Sequence, residues 1–223
     1  MSELVVYFDR QLCGRIEQSR SGNITFRYER EYREADDPTP LSLSMPLAAS
    51  IDKKRAILPY LQGLLPDSDE ALRAMARRFA VSANSPFALL EQVSSDVAGA
   101  VQIVKSDDQA SGGINTRSKV RPVSSGEVGT MLEHVVTERY DRALVDGRWR
   151  QLHQEDFCQA LSVSPNKKYQ HRDGGPGLAN IARLIRSLPF ESDRRAVGER
   201  FYRGLRGRPS GPPRPERRRA RCR

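Results

Sequence analysis

The sequence is poor in cysteine and histidine and has no long apolar run. Its three cysteines, Cys13, Cys158 and Cys222, lie far apart and form no C-x-x-C pair, which favours free thiols in a reducing compartment over a disulfide framework. The three histidines share no metal-ligand spacing with them, so a zinc site is not expected. No segment approaches the roughly 20 apolar residues of a membrane span, and the segment after Met1 lacks a signal-peptide layout. We therefore expect a cytoplasmic protein with no membrane contact.

The sequence also lacks the common catalytic motifs. It contains no G-x-x-x-x-G-K-[ST] or G-x-G-x-x-G phosphate loop and no G-x-S-x-G nucleophile elbow. The adjacent acids Asp36-Asp37 and Asp107-Asp108 are interpreted as solvated loop charge. His153 and Asp156 have no nucleophile at a readable spacing, which favours a surface or capping role for them. The glycines of 174–177 either hold an anion at a helix N-terminus or form a plain turn.

Positive charge is concentrated at the C-terminal end. The formal net charge is +9, from 37 Lys+Arg and 28 Asp+Glu, and residues 203–223 carry nine Arg against one acid. The remaining chain is nearly neutral, so the high pI does not indicate a nucleic-acid-binding fold. This tail is either a basic arm for nucleic acid or anionic lipid, or a disordered terminus never selected to bind anything. We prefer the second interpretation, because 17 of its 21 residues are Arg, Pro, Gly or Ala, the composition of a GC-rich gene read out of frame.

Hydrophobic periodicity predicts an α+β fold in the first hundred residues. Strand patterns occur over 3–8, around 14–16, over 24–28, over a short 41–45 segment between two prolines, and over 97–104. Helical patterns occupy 57–65, the residues after an N-cap at Asp67-Ser68, and the residues from Pro86.

The second half of the sequence begins with a segment that has little hydrophobic patterning and continues with segments that predict strands and helices. Residues 105–130 hold few large apolar side chains, which is typical of a linker without a core. After them we predict a strand from Val135 to Tyr140, a hairpin turn at Asp146-Gly147 and a short helix over 154–161 that buries Phe157, Cys158 and Leu161. Two further helices are predicted over 178–188 and 194–205.

Four strings in the first half resemble one known family. They are Pro40–Leu47 (PLSLSMPL), Leu64–Ser68 (LLPDS), Pro86–Leu90 (PFALL) and Asp96–Val101 (DVAGAV). Their order and spacing resemble the N-terminal subdomain of the HipA family, the Ser/Thr protein kinase toxins of bacterial type II toxin–antitoxin modules.

Strings of the second half are similar to part of that family's C-terminal kinase region. They are Val136–Arg142 (VTERYDR), Gln154–Gln159 (QEDFCQ), Lys168-Tyr169 and Asp173–Gly177 (DGGPG). The resemblance implies an α+β fold in which a small N-terminal subdomain is followed by a fragment of a protein-kinase-like domain.

The domain organisation follows from these two stretches. It comprises a HipA N-terminal subdomain at 1–105, a linker at an apparent internal deletion at 106–133, a partial C-terminal kinase domain at 134–202, and a disordered Arg/Pro-rich tail at 203–223.

The resemblance implies ATP-dependent phosphoryl transfer with Mg²⁺, but the sequence departs from the family at the chemistry. A phosphate loop and a nucleotide-binding Lys are expected between the two halves, yet the chain passes from Val104 to Val135 through a Gly/Ser-rich stretch that holds neither. The family's catalytic Asp segment, expected after Phe201, and its metal-binding Asp are not found either. We therefore expect no catalytic residue, no metal ligand and no productive binding of ATP and Mg²⁺.

A hinge-like strand is what remains of the nucleotide site. Glu138, Arg139 and Tyr140 match the family segment that holds the adenine end of ATP, although a strand with one buried aromatic accounts for them equally well. As a partner the resemblance implies a HipB-like helix-turn-helix antitoxin, with DNA reached only through it. Three functions stay open: an inactive toxin kinase, a binding module for that antitoxin, and a gene remnant.

Overall fold

A computed structural model describes residues 2–48, 54–93, 97–106, 141–145 and 148–205 of the 223-residue chain. The chain forms two compact units, residues 1–176 and residues 177–223. The architecture combines helices with antiparallel sheets, so the α+β prediction is confirmed.

A four-stranded antiparallel sheet organises the first unit. Its strands are β1 (Ser2–Phe8), β2 (Gln11–Gln18), β3 (Ile24–Tyr28) and β4 (Val101–Lys105), in the order β3-β2-β1-β4. The predicted strands over 3–8, 14–16 and 24–28 are therefore confirmed. Between β2 and β3 the backbones lie so close that a β-carbon on Gly14 would meet the Arg27 carbonyl oxygen at 2.4 Å.

Helices pack on one face of this sheet. They are α1 (Arg30–Arg33), α2 (Lys54–Gly63), α3 (Asp69–Phe79) and α4 (Pro86–Val93). The Ser68 hydroxyl accepts a hydrogen bond from the Ala71 amide and caps α3, as the sequence predicted. The resulting core is apolar and continuous, and its fully buried large side chains include Leu4, Ile16, Phe26 and Phe87.

The strand predicted over 41–45 is wrong. This segment, here called the 41–45 loop, makes only an isolated bridge between Ser42 and Met45, and the Met45 amide donates to the Ser42 carbonyl in a tight turn. The Tyr28 hydroxyl accepts from the Leu41 amide at 2.8 Å and donates to the Met45 carbonyl at 2.6 Å. A side chain thus satisfies the backbone groups that a neighbouring strand would otherwise pair.

In the second part of this unit, residues 141–176, every described helix and strand is short. Strands β5 (Arg142–Val145) and β6 (Arg148–Gln151) pair antiparallel, and α5 (Phe157–Ala160), a 3₁₀ turn (Pro165–Lys167) and α6 (Gln170–Asp173) follow. The short helix near 154–161 is confirmed, and Cys158 is buried as predicted. Phe157 lies at the surface and Leu161 is only half-buried, contrary to the prediction, because Cys158, Gln159 and Ala160 are the residues that this single turn buries. The predicted strand Val135–Tyr140 and turn Asp146-Gly147 lie outside the described residues.

The second unit contains α7 (Leu178–Ser187) and α8 (Glu191–Leu205), near the ranges predicted for them. Ile185 of α7 is buried, and Gly198 of α8 lies opposite it. No helix within the described ranges is long and apolar enough to cross a membrane.

Candidate functional site

The three residues predicted to hold the adenine end of ATP, Glu138, Arg139 and Tyr140, lie outside the described residues. Asp141 follows them directly in the chain and is described together with its contacts. The candidate site is therefore built from the residues that anchor this segment and the next to the N-terminal sheet and helices. We call the contact between residues 141–173 and residues 2–106 the seam.

The first anchor is a buried ion pair just after the hinge-like residues. The Arg142 guanidinium donates to the Asp141 carboxylate at 2.6 Å, and both side chains are almost fully buried. The same carboxylate accepts from the Gly99 amide at 3.0 Å, and Arg142 also donates to the Gly99 carbonyl. Gly99 has φ +84°, a left-handed conformation that suits glycine. The pair therefore fixes the chain to the turn that leads into β4.

Two stacked tyrosines hold the loop that receives the second anchor. The rings of Tyr28 and Tyr32 are nearly parallel, with centroids 6.3 Å apart. Tyr32 donates to the Thr39 carbonyl at 2.7 Å, and Tyr28 bonds the backbone at both ends of the 41–45 loop. Burial raises the pKa of both phenols above their ordinary values, so both remain hydrogen-bond donors. The loop is thereby held in one conformation.

That loop binds the carboxylate of Glu155 with two donors. Ser42 Oγ lies 2.6 Å from Glu155 Oε2, and the Leu43 amide donates to Oε1 at 2.9 Å. Ser42 is completely buried, and Glu155 is partly buried. Desolvation raises the pKa of Glu155 above its ordinary value, the two hydrogen bonds lower it, and the neighbouring charge of Asp156 raises it again. The donors are 112 and 113 residues away in sequence, so this contact joins the two halves of the chain.

The third anchor joins α5 to α2. The Gln159 side chain donates to the Tyr60 carbonyl at 3.1 Å and is almost fully buried. A β-carbon at Gly63 would meet this side chain at 2.7 Å, so the glycine allows the close approach. Gln159 also forms a capping box with Asp156, in which each side chain bonds the other's backbone amide.

His153 and Asp156 do not form a catalytic pair. Asp156 caps α5, and the His153 ring packs edge-to-face on Phe8 with centroids 4.6 Å apart. Desolvation lowers the pKa of His153 to about 4, so the ring is neutral at pH 7. The capping role that the sequence favoured is confirmed for Asp156, and His153 is a packing residue of the seam.

Glycines 174, 175 and 177 form a turn with a steric requirement. Gly174 has φ +67°, and the Gly175 amide donates to the Tyr169 carbonyl. A β-carbon at Gly175 would lie 1.8 Å from the Lys167 carbonyl oxygen, which no other residue could tolerate. Close backbone packing accounts for these residues without an anion.

A groove of about 480 Å³ lies between the C-terminal end of α2, the start of α3 and the 3₁₀ turn. Its charged lining consists of Asp67, Asp69 and Arg73, so acids outnumber basic side chains there. Within the described ranges no three His, Cys, Asp or Glu side chains lie close enough to share a metal ion.

Sequence reasoning missed the seam, although its residues were within the strings already quoted. Ser42 belongs to Pro40–Leu47, Gly99 to Asp96–Val101, and Glu155 and Gln159 to Gln154–Gln159. The four buried polar residues among the described ones, Ser42, Asp141, Arg142 and Gln159, all lie at the seam. Buried polar groups need hydrogen-bond partners, but these strings did not indicate which partners they would have.

Comparison with protein families gives two adjacent matches. The HipA N-terminal domain matches residues 4–104, and the HipA-like C-terminal domain matches residues 113–205. Together these matches account for most of the chain.

A curated relative is the Sinorhizobium fredii protein named "Putative kinase Y4mE", which is 26% identical over 274 positions. A solved structure titled as the Shewanella oneidensis MR-1 toxin–antitoxin complex of HipA, HipB and operator DNA contains a chain with a TM-score of 0.59 at 18% identity, a likeness of fold. Each match covers 83% of this chain, but the chain spans only 65% of the first protein and 61% of the second. The alignment with Y4mE uses about 185 residues of this chain (83% of 223), so about 90 of its 274 positions have no counterpart here.

Proposed function

Because this chain belongs to the HipA family, we propose that it is a toxin-type member that has lost kinase activity and kept the family's N-terminal domain docked on a remnant of the C-terminal domain. The observation that carries the proposal is that the match to Y4mE extends over 274 positions but uses only about 185 residues of this chain, so that about 90 positions have no counterpart here. Phosphoryl transfer needs a loop over the phosphates, a lysine on them, a base and metal ligands. The sequence between Val104 and Val135 holds lysines at 105 and 119 but no Ser-x-Ala-Gly-x-Gln-x-Lys pattern like that of the family's phosphate loop.

Nucleotide binding by this chain would then rest on the hinge-like strand alone. The adenine end would be contacted by Glu138, Arg139 and Tyr140. Because phosphate and metal contacts would be missing, ATP with Mg²⁺ would bind with little more affinity than adenosine. The groups that would stabilise the charge of a transferring phosphoryl group are the ones the gap removes.

Calorimetry and phosphate transfer test this proposal directly. The purified chain is titrated with adenosine and with Mg²⁺–ATP, and incubated with γ-labelled ATP and a mixture of acceptor proteins. We expect no label transfer, and equal, weak affinities for the two ligands that the substitution Tyr140→Ala abolishes. Label incorporation, or Mg²⁺–ATP binding at least tenfold tighter than adenosine, would contradict the proposal.

A second function is favoured by the intact N-terminal half: pairing with a HipB-like helix-turn-helix antitoxin, which would bring the chain to DNA indirectly. The fold resembles a chain of a complex that contains HipB and operator DNA, and residues 4–103 have a complete apolar core. Such pairing requires a binding surface on this chain but no catalytic residues.

Co-expression with a helix-turn-helix protein encoded beside this chain tests the pairing. Co-elution of both proteins at micromolar concentration is expected, and light scattering would give the stoichiometry. Failure to associate would leave the gene-remnant interpretation in its place.

A further inference from the structure

The two sides of the seam are stabilised in different ways. The apolar core of the first unit draws its buried members from residues 4–103, and no described residue of 141–176 belongs to it. Apart from the His153 ring, which packs on Phe8, the N-terminal half therefore supplies the residues of its own hydrophobic core. Apolar burial is the main source of folding stability, so this half does not depend on the residues that dock on it.

The docked segment is held mainly through polar groups. We call residues 153–173 the strap. Its contacts are the Glu155 carboxylate on the 41–45 loop, the Gln159 amide on the Tyr60 carbonyl, an exposed ion pair between Lys168 and Asp67, and the edge-to-face packing of the His153 ring on Phe8. Hydrogen bonds to water replace such contacts when a segment opens, so each contributes a small net free energy. Exposed ion pairs contribute less still.

The strap also has little structure of its own. Its helices α5 and α6 have four residues each, and isolated helices of that length are not stable in water. Its buried apolar side chains, Cys158 and Ala160, are small. Once it leaves the seam, the strap therefore loses its fold and exposes Cys158.

From these observations we infer that the strap opens as a separate cooperative unit, while the N-terminal sheet and helices stay folded. Opening uncovers Ser42 Oγ, the Leu43 amide and the Tyr60 carbonyl together. Local opening of this kind is drawn from the regions with the fewest buried apolar contacts. The strap is such a region, whereas β1 and β2 have many buried apolar contacts.

Two cysteines provide internal probes of the two parts. Cys158 lies on the strap, and Cys13 lies at zero exposure in the apolar core. The full chain carrying Cys222→Ser is treated with iodoacetamide under native conditions, and each thiol is followed by peptide mass spectrometry. Separate opening predicts that Cys158 reacts at least roughly 100-fold faster than Cys13, since only global unfolding exposes the core thiol.

Two variants make the test specific. Gln159→Ala removes the bond to the Tyr60 carbonyl and should raise the labelling rate of Cys158 roughly tenfold; because global unfolding starts from the same docked state, the rate of Cys13 should rise by at most the same factor. Ile16→Val, the matched core control, should raise the rate of Cys13 roughly two- to tenfold and leave Cys158 unchanged.

Equal labelling rates of the two thiols would overturn the inference. So would Ile16→Val accelerating both thiols by the same factor, because the two parts would then open together, and so would Gln159→Ala leaving the labelling rate of Cys158 unchanged. If Gln159→Ala prevented folding altogether, the inference would also be wrong, since it requires an N-terminal half that is stable with the strap open.

Discussion

Replacing Glu155 by glutamine and by alanine separates the hydrogen bonds of this side chain from its charge. In the native protein the carboxylate accepts from Ser42 Oγ at 2.6 Å and from the Leu43 amide at 2.9 Å. Glutamine keeps the shape and one acceptor oxygen, whereas alanine removes both acceptors. The two substitutions should therefore differ strongly in the free energy with which the strap docks.

The expected magnitudes follow from hydrogen-bond energetics. Alanine leaves a buried hydroxyl and an amide without the carboxylate, so docking should weaken by about 2–4 kcal/mol. In the glutamine variant the amide oxygen can accept from Leu43 and the amide N–H can donate to Ser42 Oγ, which already pairs with Ser44 Oγ. Docking at pH 7 should then stay within about 1 kcal/mol of the native value, because the cost of partly burying a charge disappears together with its stronger bonds.

The pH dependence of strap docking provides a second test, and its direction follows from the pKa of Glu155. Since the pKa of Glu155 is raised above its ordinary 4.5 in the folded protein, the folded state binds more protons than the unfolded state between those two values. The contribution of Glu155 to docking therefore strengthens as pH falls from neutral toward 4.5 and becomes constant below it. In Glu155→Gln this dependence is absent.

Hydrogen exchange of the strap amides provides the assay. The Gln159 and Val163 amides are hydrogen-bonded within the strap, and their protection is followed from pH 7 to pH 5 in the native protein and both variants. Subtracting the Glu155→Gln profile from the native one isolates the carboxylate. The reasoning is refuted if glutamine weakens docking as much as alanine does, or if the native protein and the glutamine variant show the same pH profile.

Three other substitutions probe neighbouring contacts. Gly175→Ala should lower the melting temperature and disorder its turn, because the new methyl group would overlap the Lys167 carbonyl oxygen at 1.8 Å. Tyr28→Phe keeps the ring but loses its bonds to the loop at Leu41, and should cost about 1–3 kcal/mol in urea unfolding. Since the pKa of His153 is lowered from 6.5 to about 4, the folded state binds fewer protons in that range, and stability should fall by up to about 3 kcal/mol as pH drops through it. His153→Phe should flatten that part of the stability curve.

Local patterns predicted the elements whose stability is local. The alternation over 24–28 identified β3, and the Ser68 cap identified the start of α3. The 41–45 loop also alternates, yet it is not a strand, because two hydrogen bonds from the Tyr28 hydroxyl decide its conformation from a distance. The periodicity of apolar residues alone does not show which group forms hydrogen bonds with the backbone.

The seam could not be predicted because its partners are far apart in sequence. Nothing near Glu155 indicates that its ligands are Ser42 and the amide of Leu43, more than 110 residues earlier. Likewise, nothing in the sequence around the glycine at 63 indicates that the glutamine at 159 packs against it. The family resemblance identified the right strings, but it assigned them no contacts.

The position of the seam is compatible with the proposed loss of an internal segment. The hydrogen bonds that Glu155, Gln159 and Asp141 make across the seam all end on residues 42–99, within the half that holds the apolar core. None of these contacts requires a phosphate loop or a nucleotide lysine. Under the proposed function, loss of a catalytic segment would therefore leave this docking surface in place. Restoring a phosphate loop by insertion should thus change nucleotide affinity while leaving the labelling rate of Cys158 within about threefold of its native value, because the two functions use different residues. If that insertion released the strap, as a large rise in Cys158 labelling would show, the missing segment and the seam would have to share a structural element.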